Sequence, residues 1–286
     1  MSKVGIIGVG FSDFTDVNNP TRFNYYELSF IAAKRALESV GFNRNDIDVF
    51  IESNIDLFFG RLISNMYTSS AIGGYLKYES NVAEDGTLGL IYAYMKIKSG
   101  LFDTALVVSS CGGDVDYVHA STTIFDPFIY RPLSMNYLSG LALQAASYKL
   151  KFNVNEEYAA LIVEKNREHG FKNPRAFLKS KVTSNDVLKS EYVIWPLRAL
   201  MIPPITVGAV AVILASEDIA RRYSDTPVWI EGVSWMTDNY FIGDKPLFYL
   251  QPLASAAQKI YNKLNIENPS KQIDLFEISD ITPYHE

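Results

Sequence analysis

One thiol and three imidazoles are the side chains of this sequence best suited to nucleophilic or acid–base work: Cys111, His119, His169 and His285. A thiol attacks as its thiolate, which needs a neighbouring cation, a helix N-terminus or a paired imidazole. Cys111 follows the β-branched run 104–109 and precedes Gly112. That is the carboxyl end of a strand, where α/β proteins place functional groups. No histidine stands near it in sequence, so an inert, buried thiol is the expectation. His119 and His169 lie in polar segments and read as solvated or capping groups. The three histidines are too far apart to form a close-spaced ligand pattern, so no metal site is expected.

Gly5, Gly8 and Gly10 look like a phosphate-binding loop at first sight. The dinucleotide fingerprint needs G-x-G-x-x-G between a strand and a helix, however, and the order here is G-x-x-G-x-G followed by FSDF. The expectation is a strand that passes closely by its neighbours. A net charge of −6, with lysines and arginines scattered, leaves no basic face for nucleic acid. The single cysteine excludes an intramolecular disulfide and fits a reducing cytoplasm. The opening MSKVGIIGVGF lacks the n-region of a signal peptide, and the longest apolar run, 207–215, is well short of the ~20 residues that span a bilayer. No membrane anchor is expected.

Short β-branched runs at 3–8, 49–53 and 104–109 alternate with helical patterns at 28–40 and 89–98. That order predicts βαβ units and a parallel sheet covered on both faces. In 28–40, Leu28, Ile31, Ala32, Ala36, Leu37 and Val40 form one apolar stripe that stops at Gly41. Residues 134–225 read as more helical, with helices at 138–150 and 155–168. Strands are then expected at 209–214, 228–233 and 273–278, with helices at 217–223 and 254–264. The aromatic clusters Phe23, Tyr25, Tyr26 and Phe125, Phe128, Tyr130 could line a pocket or an oligomer interface, with core packing as the default expectation.

Several separated segments together resemble the thiolase superfamily, nearest its sterol-carrier-protein type. GIIGVGFSDF is similar to the opening strand and turn, and ELSFIAAKRALESVGFNRNDIDVFI to the first long helix, loop and second strand. GLIYAYMKIKSGLFDTALVVSS resembles the helix and strand that follow the nucleophile. NPRAF and KVTSNDVLKSEYVIWPLRALMIPPITVGAVAVILAS match later motifs in order and spacing. The resemblance implies an α/β thiolase-like fold of two similar βαβ-type halves in α-β-α-β-α layers, with a loop and helix insert and a truncated second half. The parts expected are an N-terminal half at 1–133, the insert at 134–207, and a return to the sheet with the shortened half at 208–286.

The family's chemistry starts from a cysteine at a helix N-terminus, where exposed N–H groups and the helix dipole favour the thiolate. Counting back from Gly100 places that position on Ala83, followed by Glu84, Asp85 and Gly86. In LFEISDITPYHE, Ser279 holds the place of the family's asparagine or histidine and Asp280 the acidic place after it. The chain ends at Glu286, before the family's Gly-His-Pro segment and second cysteine, and it has Thr206, Val207, Gly208 and Ala209 where a carboxylate is common.

The resemblance therefore implies acyl-CoA acyltransferase descent, within lipid metabolism, without classical thiolase activity. The expected role is an acyl-CoA or thioester binder, or a partner subunit of a thiolase-type or an OB-fold and zinc-ribbon protein. A homodimer is expected, and coenzyme A enters only as part of a thioester ligand, with no resident cofactor. One alternative is an active acyltransferase with a substitute nucleophile or base drawn from Cys111, Ser279, Asp85 and His285. Another is a purely structural scaffold.

Overall fold

The computed structural model describes residues 2–17, 23–112 and 115–286. The chain divides into two compact units, Met1–Val115 with Ile205–Val233, and Asp116–Pro204 with Ser234–Glu286.

The first unit is built on β1 (Val4–Phe11), β2 (Val49–Ser53), β3 (Tyr78–Val82), β4 (Thr104–Cys111), β5 (Thr206–Ser216) and β6 (Val228–Trp229). They lie in the order β3-β2-β4-β5-β1-β6. β2 pairs in parallel with both β3 and β4, while β5 runs antiparallel to β4 and β1. The alternation of strands and helices predicts a parallel sheet, and β5 departs from it for a geometric reason. Cys111, the last residue of β4, pairs with Gly208 near the start of β5, so the chain re-enters the sheet at the end where it left. A strand entered there has to run back, and no crossover is needed.

Among the helices that cover the sheet are α1 (Tyr25–Val40), α2 (Asn65–Ile72) and α3 (Gly86–Lys98), and the shorter helix Glu217–Tyr223, expected from the sequence at 217–223, packs against β1 and β5. α1 starts at a capping box in which Asn24 Oδ1 accepts from the Glu27 N–H and the Glu27 carboxylate accepts from the Asn24 N–H. It stops at Gly41, which adopts φ 70°, a conformation that costs a residue with a Cβ. β2 is buried throughout, and its side chains alternate between two cores. Phe50 packs with Leu28, Ala32, Ala36 and Ile72, whereas Val49 and Ile51 pack with Ala93, Tyr94 and Ile97. A Cβ on Gly10 would come within 2.1 Å of the Ala32 carbonyl oxygen, so β1 lies against α1 more closely than any side chain allows.

The second unit is mainly helical. α4 (Tyr137–Phe152) and α5 (Glu156–Lys172) supply Leu141, Ala142, Ala145, Ala159, Ala160 and Val163 to its core, and α6 (Gln251–Leu264) follows later in the chain. Its strands among the described residues are the hairpin Tyr192–Ile194 and Leu197–Arg198. The run 273–278, expected as a strand, has no ladder partner, and Leu275, Phe276 and Ile278 stand exposed. The run 228–233 forms a strand only at Val228–Trp229, against β1. Alternating apolar residues become a strand only where a neighbour offers its edge.

Candidate functional site

Ala83, Glu84 and Asp85 form the exposed turn between β3 and α3. The turn is anchored from below. Ser53, at the carboxyl end of β2, lies with its hydroxyl 2.5 Å from the Asp85 carbonyl oxygen and 3.0 Å from that of Glu84. A Cβ on Gly86 would approach the Ser109 Cβ to 2.9 Å, and one on Gly89 the Ser53 Cβ to 2.7 Å. These two glycines let the head of α3 lie directly on the carboxyl ends of β2 and β4. This is a helix N-terminus that could polarise a nucleophile, and the residue at position 83 is an alanine with no thiol.

Its N–H groups are also engaged. Asp85 is the N-cap, and its Oδ1 accepts from Thr87 N–H at 2.9 Å and Leu88 N–H at 3.2 Å. A carboxylate in this position satisfies the first-turn donors and offsets the positive end of the dipole. Of the substitute candidates, Asp85 is therefore used in holding the helix.

Cys111 ends β4, half-buried, with Sγ 3.7 Å from the Gly112 carbonyl oxygen. β2 lies between β4 and the strand that leads to Ala83. Ser279, Asp280 and His285 belong to the second unit. Ser279 is exposed, and Asp280 accepts from Asn166 Nδ2 at 2.7 Å. His285 is held at both ring nitrogens, Nδ1 2.8 Å from Thr282 Oγ1 and Nε2 3.1 Å from Gln144 Oε1, and burial lowers its pKa. His119 and His169 are exposed on helices. Among the described residues no group of three or more His, Cys, Asp and Glu side chains could hold a metal ion. No described helix is long and apolar enough to cross a membrane.

Sequence reasoning missed a buried polar group on the opposite face of β2 from Ser53. Glu52 on β2 is 1% exposed; one carboxylate oxygen accepts from the Thr68 hydroxyl of α2, and the other has no partner. Asn81 of β3, its partner in register, has an unsatisfied Oδ1, and Asn54 has an unsatisfied Nδ2. Burial, reinforced by the Glu79 carboxylate and opposed by the Thr68 hydrogen bond, pushes Glu52 up to about 8. It is held as a neutral acid under ordinary conditions. A glutamate inside VFIES was the only sign of it, and that strand is buried on both faces.

The unit also presents an apolar edge. β3 is the outermost strand, and beside it Leu62 is 86%, Leu76 84% and Tyr78 70% exposed, with Met66, Tyr67 and Tyr75 also exposed. An uncovered strand edge with apolar flanks is a pairing surface.

No protein-family model matches the chain. It is 27% identical over 291 residues to an acetyl-CoA acetyltransferase of Methanothermobacter thermautotrophicus, covering 98% of this chain and 74% of that one. It is 40% identical over 81 residues to sterol carrier protein 2 of Gallus gallus, 28% of this chain and 15% of that one. Among solved structures, the Ltp2-ChsH2(DUF35) aldolase superposes with a TM-score of 0.77 at 19% identity, over 94% of this chain and 71% of that chain. A monomeric SCP2-thiolase-like protein type 1 from Mycobacterium smegmatis gives 0.76 at 15% identity, over 99% and 61% respectively.

Proposed function

Because this chain belongs to the thiolase superfamily, on the side of its sterol-carrier-protein type, we propose that it serves as a partner subunit without covalent acyl transfer. The observation that carries this reading is the head of α3, where the Asp85 carboxylate takes the N–H groups of Thr87 and Leu88 and position 83, which the resemblance gives to the nucleophile, is an alanine. Covalent catalysis needs a nucleophile, a base and stabilised charge together, and losing the nucleophile removes the covalent route.

The assembly half of the reading is supported by the β3 edge and its apolar flanks. The partner proposed first is a second copy of the chain, meeting it at that edge. The aldolase neighbour, named as an assembly with a DUF35 protein, makes a heteromeric companion the next partner to try.

Intact-mass spectrometry after incubation with acetyl-CoA, run beside a thiolysis assay, tests the chemistry. The expected result is no acyl adduct and no turnover, and an adduct at any residue overturns the proposal. Light scattering at micromolar concentration tests the assembly, with a dimer expected for the chain and a monomer for Tyr78→Asp. A monomeric parent chain that also fails to capture a DUF35-type protein removes the assembly reading.

A further inference from the structure

In the second unit a cavity of about 160 Å³ opens between α5, the segment 200–203 and the chain around Ile281. Its walls are mostly apolar, with Val163, Leu200, Ile202 and Ile281 among them. Four residues with polar side chains line it, Asn166, Arg167, Asp280 and Thr282, and the Thr282 hydroxyl is engaged with His285 Nδ1 at 2.8 Å. Asn166 is committed, since its amide donates to Asp280 Oδ2 at 2.7 Å and to Glu286 Oε2 at 2.9 Å. Glu286 is further paired with Lys165. The carboxylates nearest α5 thus already have partners in the neighbours of Arg167.

Arg167 itself has none: among the described residues its guanidinium makes no hydrogen bond and no ion pair. It is half-buried, and burial lowers its pKa. A guanidinium carries five donors and no acceptor, and leaving a partly desolvated one unpaired is unfavourable. It also forms a planar fork matched to a carboxylate. We infer that this cavity is a binding site for a small monocarboxylate with a short aliphatic body, its head on Arg167 and its chain against Val163, Leu200, Ile202 and Ile281.

Two features select that class. The apolar walls favour an alkyl body over a sugar or a bare ion. Asp280 at the same cavity disfavours a dianion such as phosphate while a single negative charge is offset by Arg167. The site lies within one unit and does not depend on the head of α3, so the inference goes beyond the proposed function and stands apart from it.

Ligand-observed NMR titration of the full chain with butyrate, butyramide and inorganic phosphate tests it. Saturable butyrate binding is expected, with butyramide and phosphate at least tenfold weaker. Arg167→Gln is expected to weaken butyrate at least tenfold, and Arg167→Lys, which keeps the charge and loses the fork, by an intermediate factor. Ile202→Phe, which fills the cavity and leaves the arginine in place, is expected to weaken butyrate and butyramide alike. Circular dichroism establishes that each variant is folded. No saturable butyrate binding, equal binding of butyramide, or unchanged butyrate binding by a folded Arg167→Gln overturns the inference.

Discussion

The hydroxyl of Ser53 lies 2.5 Å from the carbonyl oxygen of Asp85, tying the end of one strand to the N-cap of the helix above its neighbour. The turn that carries Ala83 is fixed through this contact and through Asp85's own bonds to Thr87 and Leu88. The frame that could aim a nucleophile is therefore in place, with an alanine at position 83.

Ser53→Ala removes the clamp and takes a donor away from the Glu84 and Asp85 carbonyl oxygens. The expected loss is about 1 kcal/mol, read as a lower urea midpoint with an unchanged slope. Hydrogen exchange should quicken at residues 84–88 ahead of the rest of the sheet. Uniform quickening would show that the clamp acts on the whole unit and not on the turn.

Asp85→Ala removes the N-cap of α3 and should cost about 1 kcal/mol, whereas Asp85→Asn should stay within a few tenths. Thermal unfolding of the two variants side by side separates capping from charge. An equal loss in both would mean that the carboxylate's charge, and not its hydrogen bonds, holds the helix.

Ala83→Cys, in a Cys111→Ser background, restores a thiol without restoring its activation. Glu84 and Asp85 flank the position, and the first-turn N–H groups are already taken, so the new thiol should titrate at or above the ordinary value of about 8.5. The pH profile of iodoacetamide alkylation measures this. A midpoint well below that value would show that the helix dipole still dominates the site.

Glu52 gives a pH dependence of definite sign. Burial raises its folded pKa from 4.5 to about 8, so between those values the folded state holds a proton that the unfolded state has released. Its contribution to stability is full below 4.5, falls as the pH rises, and is gone above about 8. The slope in that window approaches about 1.4 kcal/mol per pH unit for one proton. Glu52→Gln keeps the shape and should flatten the profile. An equally steep profile in the variant would assign the effect to another group.

Much of the first unit was legible in the sequence because its signals are local. The stripe from Leu28 to Val40 and the stop at Gly41 mark α1, and the run VFIES matches β2 residue for residue. β3 was missed because YESNV is polar and half-exposed, an edge strand without the apolar alternation that announces one. The run 273–278 was misread for the converse reason, since its apolar alternation has no neighbouring strand to complete it.

By itself the sequence determined the family likeness, the course of the main helices and strands of the sheet, and the absence of a thiol at position 83, all carried by residue identity and short-range order. Only the tertiary structure decided that β5 runs against its neighbours, that Asp85 occupies the helix N-terminus, that Glu52 is a buried neutral acid and that Arg167 stands unpaired in a cavity. Each of those depends on which groups distant in sequence are brought into contact and removed from water. Hydrogen-bond partners and the cost of desolvating a charge are properties of the packed chain, and no local pattern encodes them.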